Sequence, residues 1–283
     1  MDGENQIERA RDLMALHRTA GGFLLPNAWD AMSACLFEAA GFRAVGTTSG
    51  GVNWSLGYQD GEGPPWSDVV AATARIARAV RVPVSADIEA GYAKTPDELQ
   101  RNVDEIISAG VSGINIEDQI AGKLRPLDEA CARVKAARVA ADRAGIPIVI
   151  NARTDVFHVA MDAEQRFDEA VKRAAAYLES GASTIFLFGL SDLPVIARLS
   201  KAIAAPVNVV GRPGGPSLPE YSTAGVARVS IAAGMSLFAY GAVRDAAKTL
   251  QETGSFNVFK GSFTRAEAQA LVARSGQIEG RMS

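Results

Sequence analysis

Helical stretches in this chain repeatedly stop at a small residue plus glycine and then run into a short apolar segment: Ala40-Gly41, Ala109-Gly110, Ser180-Gly181 and Ala224-Gly225. Others stop where a proline opens the apolar segment: Val82-Pro83, Ile146-Pro147 and Ala205-Pro206. Glycine ends a helix by taking the left-handed conformation, and proline is tolerated at the first residue of a strand, so both mark a helix-to-strand turn. Reading between these marks predicts eight strands: Phe23 to Pro26, Ala44 to Thr48, Pro83 to Ile88, Gly113 to Glu117, Pro147 to Ala152, Thr184 to Phe188, Pro206 to Val210 and Arg228 to Ile231.

Helical patterns of sufficient length lie between them, over Trp66 to Val80, Thr95 to Ala109, Leu127 to Ala144, Ala163 to Ser180 and Leu193 to Ile203. The strands read as almost wholly apolar, as in parallel sheets covered on both sides. Eight βα units in one chain of 283 residues therefore predict a single α/β domain over residues 1–283, a (β/α)8 TIM barrel. A doubly wound open sheet is the competing architecture. It would carry a glycine-rich dinucleotide turn after the first strand, and Pro26-Asn27-Ala28-Trp29-Asp30 has none of those glycines. Two helices fall outside the eightfold count: an N-terminal one over Ile7 to His17 and a C-terminal one over Thr264 to Ala273. The second belongs to an extension over residues 255–283 whose apolar Phe256, Val258, Phe259 and Leu271 are open to exchange between subunits of a homo-oligomer.

Composition narrows the function. Hydrophobic residues make up 48% of the chain, enough for a large core, and the formal charge of −3 gives no basic footprint for nucleic acid. Cys35 and Cys131 both fall in predicted helices, against a disulfide framework or cysteine-rich zinc site. Met1 to Arg11 lacks an apolar signal core and no run reaches the ~20 apolar residues of a membrane span, so a cytoplasmic protein with no membrane partner is expected.

Two predicted strands end in carboxylates: Val84-Ser85-Ala86-Asp87-Ile88-Glu89 and Gly113-Ile114-Asn115-Ile116-Glu117-Asp118. Acids at strand ends can simply cap the next helix. Three brought together cost free energy unless a cation neutralises them, and hard oxygen ligands suit Mg²⁺ or Mn²⁺; Asp87, Glu89 and Glu117 are thus the candidate metal site. In a barrel the site is built at the carboxyl ends of the strands. That ring reads Asn27 and Asp30, Thr47 to Gly51, Asp87 and Glu89, Glu117 and Gln119, Arg153 and Asp155, Gly189, Asn208 to Arg212, and Ser230. Arg153 faces the acids, and Ser49-Gly50-Gly51 offers backbone amides, an arrangement suited to a carboxylate with an adjacent oxygen.

Five segments in order, Thr48-Ser49-Gly50-Gly51, Leu56-Gly57-Tyr58-Gln59-Asp60, Asp87-Ile88-Glu89-Ala90-Gly91-Tyr92, Ile116-Glu117-Asp118-Gln119 and Asn151-Ala152-Arg153-Thr154-Asp155, resemble the motifs of the isocitrate lyase and phosphoenolpyruvate mutase superfamily. The resemblance implies a Mg²⁺-dependent barrel that binds 2-oxo or 2-hydroxy acids and cleaves or forms C–C or P–C bonds through an enolate. It implies that Asp87 binds the metal directly and that Glu89 and Glu117 act largely through its waters. Arg153 and the amides of Gly50 and Gly51 would hold the substrate carboxylate, Asn208 would contact its far end, and Asp60 would ride on a mobile lid. It also implies tetramers that exchange C-terminal helices.

The departures from that pattern speak to the reaction. Where the lyases of the superfamily carry a Lys-Lys/Arg-Cys-Gly-His loop with an acidic cysteine, this chain has Ile120-Ala121-Gly122-Lys123-Leu124-Arg125-Pro126. Their tyrosine two residues before the Ser-Gly pair is Thr47 here, and a threonine hydroxyl is a far weaker acid than a phenol. Reverse-aldol cleavage of a 2-hydroxy acid loses both ends of its proton relay. Decarboxylation of an oxaloacetate-like 2-oxo dicarboxylate needs no such base, so a Mg²⁺-dependent carbon–carbon lyase is the expected activity. Phosphonopyruvate-type P–C cleavage is the alternative, with Lys123 at the place of the mutases' lysine and Arg125 where they have asparagine. A barrel that binds a keto acid without turnover is a further alternative. Arg212, in Gly211-Arg212-Pro213-Gly214-Gly215-Pro216, is the candidate for a distal carboxylate.

Overall fold

The computed structural model describes residues 3–276. Within them all the predicted strands form one parallel sheet of nine segments, β1 (Phe23–Leu25), β2 (Asn27–Ala28), β3 (Val45–Thr47), β4 (Val84–Asp87), β5 (Gly113–Glu117), β6 (Val149–Thr154), β7 (Thr184–Leu187), β8 (Val207–Val210) and β9 (Arg228–Ser230). The order is β1-β9-β8-β7-β6-β5-β4-β3-β2. Its two ends, β1 and β2, are one strand broken at Pro26, so the sheet closes on itself into the expected barrel. Proline has no N–H to donate, but its carbonyl still accepts from Gly46 N at 2.8 Å, and the strand changes partner there from β9 to β3.

The helices are α1 (Gly3–Leu16), α2 (Ala31–Ala39), α3 (Ser49–Ser55), α4 (Trp66–Ala79), α5 (Pro96–Ser108), α6 (Leu127–Ala144), α7 (Ala163–Glu179), α8 (Leu193–Ala202), α9 (Leu218–Thr223), α10 (Gly234–Thr253) and α11 (Arg265–Gly276). α5 shows how locally their limits are set. Thr95 and Glu98 form a reciprocal capping box with Pro96 in the first turn, and Leu99, Val103, Ile106 and Ile107 bury one face. The four glycines read as helix stops, Gly41, Gly110, Gly181 and Gly225, have φ of 90, 96, 105 and 85°. At Gly181 the stop is also a contact: a Cβ there would lie 2.7 Å from Cγ of Arg138, whose Nε donates to the Gly181 carbonyl.

The strands are not apolar on both faces as the sequence suggested. Ala86, Ile114, Ile116, Ile150, Ala152, Ile185, Val209 and Val229 pack into the apolar layer shared with the helices. The alternating residues Ser85, Asn115, Asn151, Thr184, Asn208, Arg228 and Ser230 are buried in the barrel interior and hydrogen-bond to one another. Polar side chains in a barrel core are costly unless they are hydrogen-bonded, and the connected network meets most of that need, with Asn208 Nδ2 left unpartnered among the described residues.

α1 closes the amino-terminal end of the barrel. Leu13 and Leu16 cluster with Leu25, Ala44 and Val149, and Gln6 Nε2 donates to the carbonyls of Ile107 and Val111. His17, just past α1, is buried, with Nδ1 2.8 Å from the Leu13 carbonyl and its ring edge-on to Phe23. Burial, reinforced by the nearby charge of Arg228, pushes its pKa down to about 3. The unfolded chain binds a proton at His17 below about 6.5 while the folded one does not, so stability falls as pH drops from there toward 3. The ceiling on this contribution is about 1.4 kcal/mol per pH unit. His17→Gln should flatten the slope of unfolding free energy against pH between 4 and 6.5, measured by denaturant titration; an unchanged slope would mean that His17 is protonated in the fold.

α11 lies against α2 and α4 of its own chain. Residues 277–283 of the expected C-terminal extension are outside the described residues. The outer face of α10 exposes Leu237, Phe238 and Val243, and Phe256 and Phe259 beyond it are exposed too. Cys35 and Cys131 are free thiols, and among the described residues no helix is long and apolar enough to cross a membrane.

Candidate active site

A cavity of about 390 Å³ opens at the carboxyl ends of the strands. It is lined by Ser49, Gly50, Asp60, Asp87, Glu89, Asn115, Glu117, Gln119 and Arg153 among others. Register brings several of these together: Asp87 sits opposite Asn115 across β4 and β5, Glu117 opposite Arg153 across β5 and β6, and Arg153 opposite Phe186 across β6 and β7.

Arg153 is the centre of the cationic side. Its Nη1 lies 2.7 Å from Oε2 of Glu117, Nη2 donates to Oδ1 of Asp155 at 2.7 Å and Nε to Oδ2 at 3.0 Å, while the guanidinium carbon stacks 3.6 Å over the Phe188 ring. Burial opposes its charge, but Glu117 and Asp155 outweigh that and raise its pKa. Three of five N–H groups are used, which leaves one on each Nη for a ligand. Asp155 is in turn fixed by Asp118, whose carboxylate accepts from the Asp155 N–H, Thr154 Oγ1, Tyr177 OH and Arg173 Nη1.

On the acidic side, Asp87 Oδ2 accepts from Ser49 N at 3.1 Å, and Thr47 Oγ1 accepts from Asp87 N at 2.8 Å. The Thr47 hydroxyl is thereby committed below the carboxylate. Glu89 holds a left-handed φ of 52°, which is costly for a residue with a side chain and turns its carboxylate onto Asn53 Nδ2, Tyr92 OH and Glu62 N. Burial raises the pKa of Glu89 against those bonds. Glu117 is pushed up to about 8, by burial first and by repulsion from Asp155, Asp87 and Glu89, with Arg153 opposing. Asp60 is raised by burial and by Asp87.

One guanidinium thus serves a wall of carboxylates whose charged forms are held back. That deficit of positive charge, with hard oxygen donors only, fits a divalent Mg²⁺ or Mn²⁺. Among the described residues no three His, Cys, Asp or Glu side chains are close enough together to hold an ion unaided. With three donors already on Glu89 and Glu117 tied to Arg153, the arrangement fits one direct carboxylate ligand and water for the rest.

The other predicted residues are placed as follows. Asp60 lies over α3, where a Cβ on Gly50 would be 3.3 Å from its Oδ2. Gly51 is not among the residues lining the cavity; a Cβ there would meet Thr48, Trp29 and Ser236 within 3.0 Å, so close packing requires glycine. Asn208 is fully buried beneath the floor, its Oδ1 accepting from Ser230 Oγ at 3.1 Å, and does not reach the cavity. Lys123 is exposed on a short hairpin (Gln119–Ile120 with Lys123–Leu124), and Arg212 is exposed on the turn after β8, which Gly214 at φ 73° and the Gly215 N to Arg212 O bond shape; neither is among the residues lining the cavity. Glu220, the surface acid that could have paired with Arg212, is taken by Ser217. Asn115, His158, Phe186 and Phe188 line the cavity without having been singled out. Asn115 was readable from its alternation with Glu117; His158, one of two histidines in the chain, lies beyond a strand end where no spacing marks it.

Residues 13–251 match the family model described as phosphoenolpyruvate phosphomutase. The chain belongs to this family. An uncharacterised Mycobacterium tuberculosis protein (strain H37Rv) is 37% identical over 76% of this chain and 79% of its own length. The 2-methylisocitrate lyase of Escherichia coli K12 is 31% identical over 63% of this chain and 61% of the lyase. The solved oxaloacetate acetylhydrolase in complex with the product oxalate superposes with a TM-score of 0.87 at 25% identity, covering 97% of both chains. Phosphoenolpyruvate phosphomutase family members and these lyases form the isocitrate lyase and phosphoenolpyruvate mutase superfamily, whose barrel this chain shares, and the relationship supports a lyase-type enzyme.

Proposed function

We propose that this protein is a Mg²⁺-dependent carbon–carbon lyase acting on a small 2-oxo dicarboxylic acid through an enolate, with decarboxylation of an oxaloacetate-like substrate as the first reaction to test. One observation carries the reading: the carboxylates of Asp87 and Glu117 line one cavity of about 390 Å³ with Arg153, which holds Glu117 at 2.7 Å and still has two N–H groups to spare. Asp87 would hold the metal directly, and Glu89 and Glu117 through water. A bound Mg²⁺ supplies Lewis-acid polarisation of the 2-oxo oxygen and its neighbouring carboxylate.

The chain's own residues do the rest. Arg153 binds and orients the carboxylate next to the keto group, and Asp155 and Phe188 prevent its plane from turning. Ser49 and Gly50 wall the opposite side. Asp60 covers the cavity and excludes water while charge moves onto the substrate. No base is needed for loss of CO₂, which suits a site whose Thr47 hydroxyl is committed to the Asp87 backbone. Phosphonopyruvate-type P–C cleavage is the second reading. It is favoured by Arg125, which lines a pocket adjoining the cavity beside Lys94 and Gln119, with Lys123 on the same hairpin. The exposed Phe238, Val243 and Phe256 support a homo-oligomer, dimer or tetramer.

The test is release of CO₂ and pyruvate, or of phosphate, from a panel of oxaloacetate, its methylated homologues and phosphonopyruvate, with Mg²⁺ and with excess EDTA. Full activity in EDTA sinks the metal role, and no turnover of any member sinks the lyase. Asp60 gives a sharper result. Asp60→Ala should lower kcat by about 10 to 10² while the Kd for oxalate moves by less than about threefold, because a lid acts on the chemical step more than on the ground state. Equal losses would make Asp60 a binding residue.

A further inference from the structure

The largest fully buried side chain among the described residues is an arginine, and it bonds no carboxylate, with Asp87 favouring its charge only from a distance. Arg228 enters the barrel interior from β9 and crosses it: Nε donates to Ser230 Oγ at 3.1 Å, Nη1 reaches Ser85 Oγ on β4 at 3.5 Å, and Nη2 donates to Asn115 Oδ1 on β5 at 3.2 Å. A guanidinium taken out of water without an ion pair is costly, and three neutral partners do not return that cost. Asn115 receives a second donor from the other side. Asn151 Nδ2 donates to Asn115 Oδ1 at 2.8 Å, and the Asn151 oxygen in turn accepts from Thr184 Oγ1 at 2.7 Å.

The direction of this network is set at its arginine end. Arg228 can only donate, so the oxygen of Asn115 is held inward, and turning its amide over would face N–H groups with N–H groups. Asn115 lines the cavity, beside Asp87 in the register. Its Nδ2 is therefore the end left for a ligand. We infer that Arg228 is a positioning residue that locks Asn115 with its amide N–H groups turned into the cavity, where they donate to an anionic oxygen of the substrate. This rests on the oxo-acid reading above.

The probe is oxalate in the presence of Mg²⁺, followed by calorimetry with the full chain, alongside thermal unfolding. Arg228→Met removes the lock and the buried charge, and Asn115→Ala removes the donor. Each should weaken oxalate by about tenfold, and the double variant should be no weaker than Asn115→Ala alone, because both act through one contact. The Tm of Arg228→Met should hold or rise, as it does when an apolar chain replaces a buried ion, whereas a merely structural Arg228 would lower it. Oxalate affinity within twofold of wild type in Arg228→Met, or losses that multiply in the double variant, overturns the inference. Asn115→Asp gives an answer even if Arg228→Met does not fold. It should raise Tm by pairing with the guanidinium and weaken oxalate at least tenfold by presenting an oxygen in place of N–H; a retained oxalate affinity overturns the inference as well. A wild-type protein that binds no oxalate with Mg²⁺ instead brings down the oxo-acid reading and this inference with it.

Discussion

Asp87→Ala is expected to abolish Mg²⁺-dependent binding of oxalate and to cut turnover by about 10³ or more, since it removes the one carboxylate that the geometry offers as a direct metal ligand. The stability change should run the other way. Asp87 raises the pKa of Asp60, Glu89 and Glu117 by repulsion, and relief of that acidic wall should outweigh the support it lends the charges of Arg153 and Arg228. Among the described residues its carboxylate accepts one hydrogen bond, from the Ser49 N–H at the cavity, and the Thr47 hydroxyl keeps its bond to the Asp87 backbone N–H. A metal-free Tm equal to or above wild type, with activity lost, is the combined signature, checked by steady-state kinetics and calorimetry. A variant retaining a tenth of the activity would show that another group binds the metal.

Arg153→Lys is expected to lower kcat/KM by about 10² to 10³, and here stability should fall too. The guanidinium bonds Glu117 and both oxygens of Asp155 at once and lies flat on Phe188. An ammonium can do neither the forked bonding nor the stacking. Asp155, fully buried, would lose its bidentate partner, and breaking a buried pair costs on the order of 3 kcal/mol. The loss should appear mainly with substrates bearing the carboxylate beside the keto group. If Arg153→Lys keeps its Tm and loses less than tenfold in kcat/KM, Arg153 is a spectator in substrate binding.

The barrel was legible because parallel βα units punctuate themselves: glycine at positive φ after a helix and proline before a strand are local signals that no tertiary contact overrides. Asp87, Glu89, Glu117 and Arg153 were legible because a strand end fixes where a side chain goes. Four things were not. α3 was not read as a helix because Gly50 and Gly51 mask it; Gly51 is there because Trp29, Thr48 and Ser236 leave no room for a Cβ. α10, twenty residues long, buries only Ser236 and so lacks the stripe that marks a helix in sequence. The loop after β8 was expected to aim Arg212 inward, but which way an irregular turn points depends on bonds such as Gly215 N to Arg212 O that no spacing announces. The polar barrel interior was hidden for another reason: Ser85, Asn151 and Thr184 alternate with apolar residues over strands too short for the period to stand out.

The seam at Pro26 has a consequence for how the protein comes into being. Phe23 to Leu25 pair with Arg228 to Ser230, and Ser230, Ala232 and Ala233 line the cavity, so the first strand to leave a ribosome waits for the last before the ring of hydrogen bonds can close. Until then β1 and β8 present open parallel edges, and the binding chamber lacks a wall. The order of synthesis makes ligand-binding competence the final event of folding: a nascent chain interrupted before β9 can own every carboxylate of the site and still have no enclosed space in which to use them.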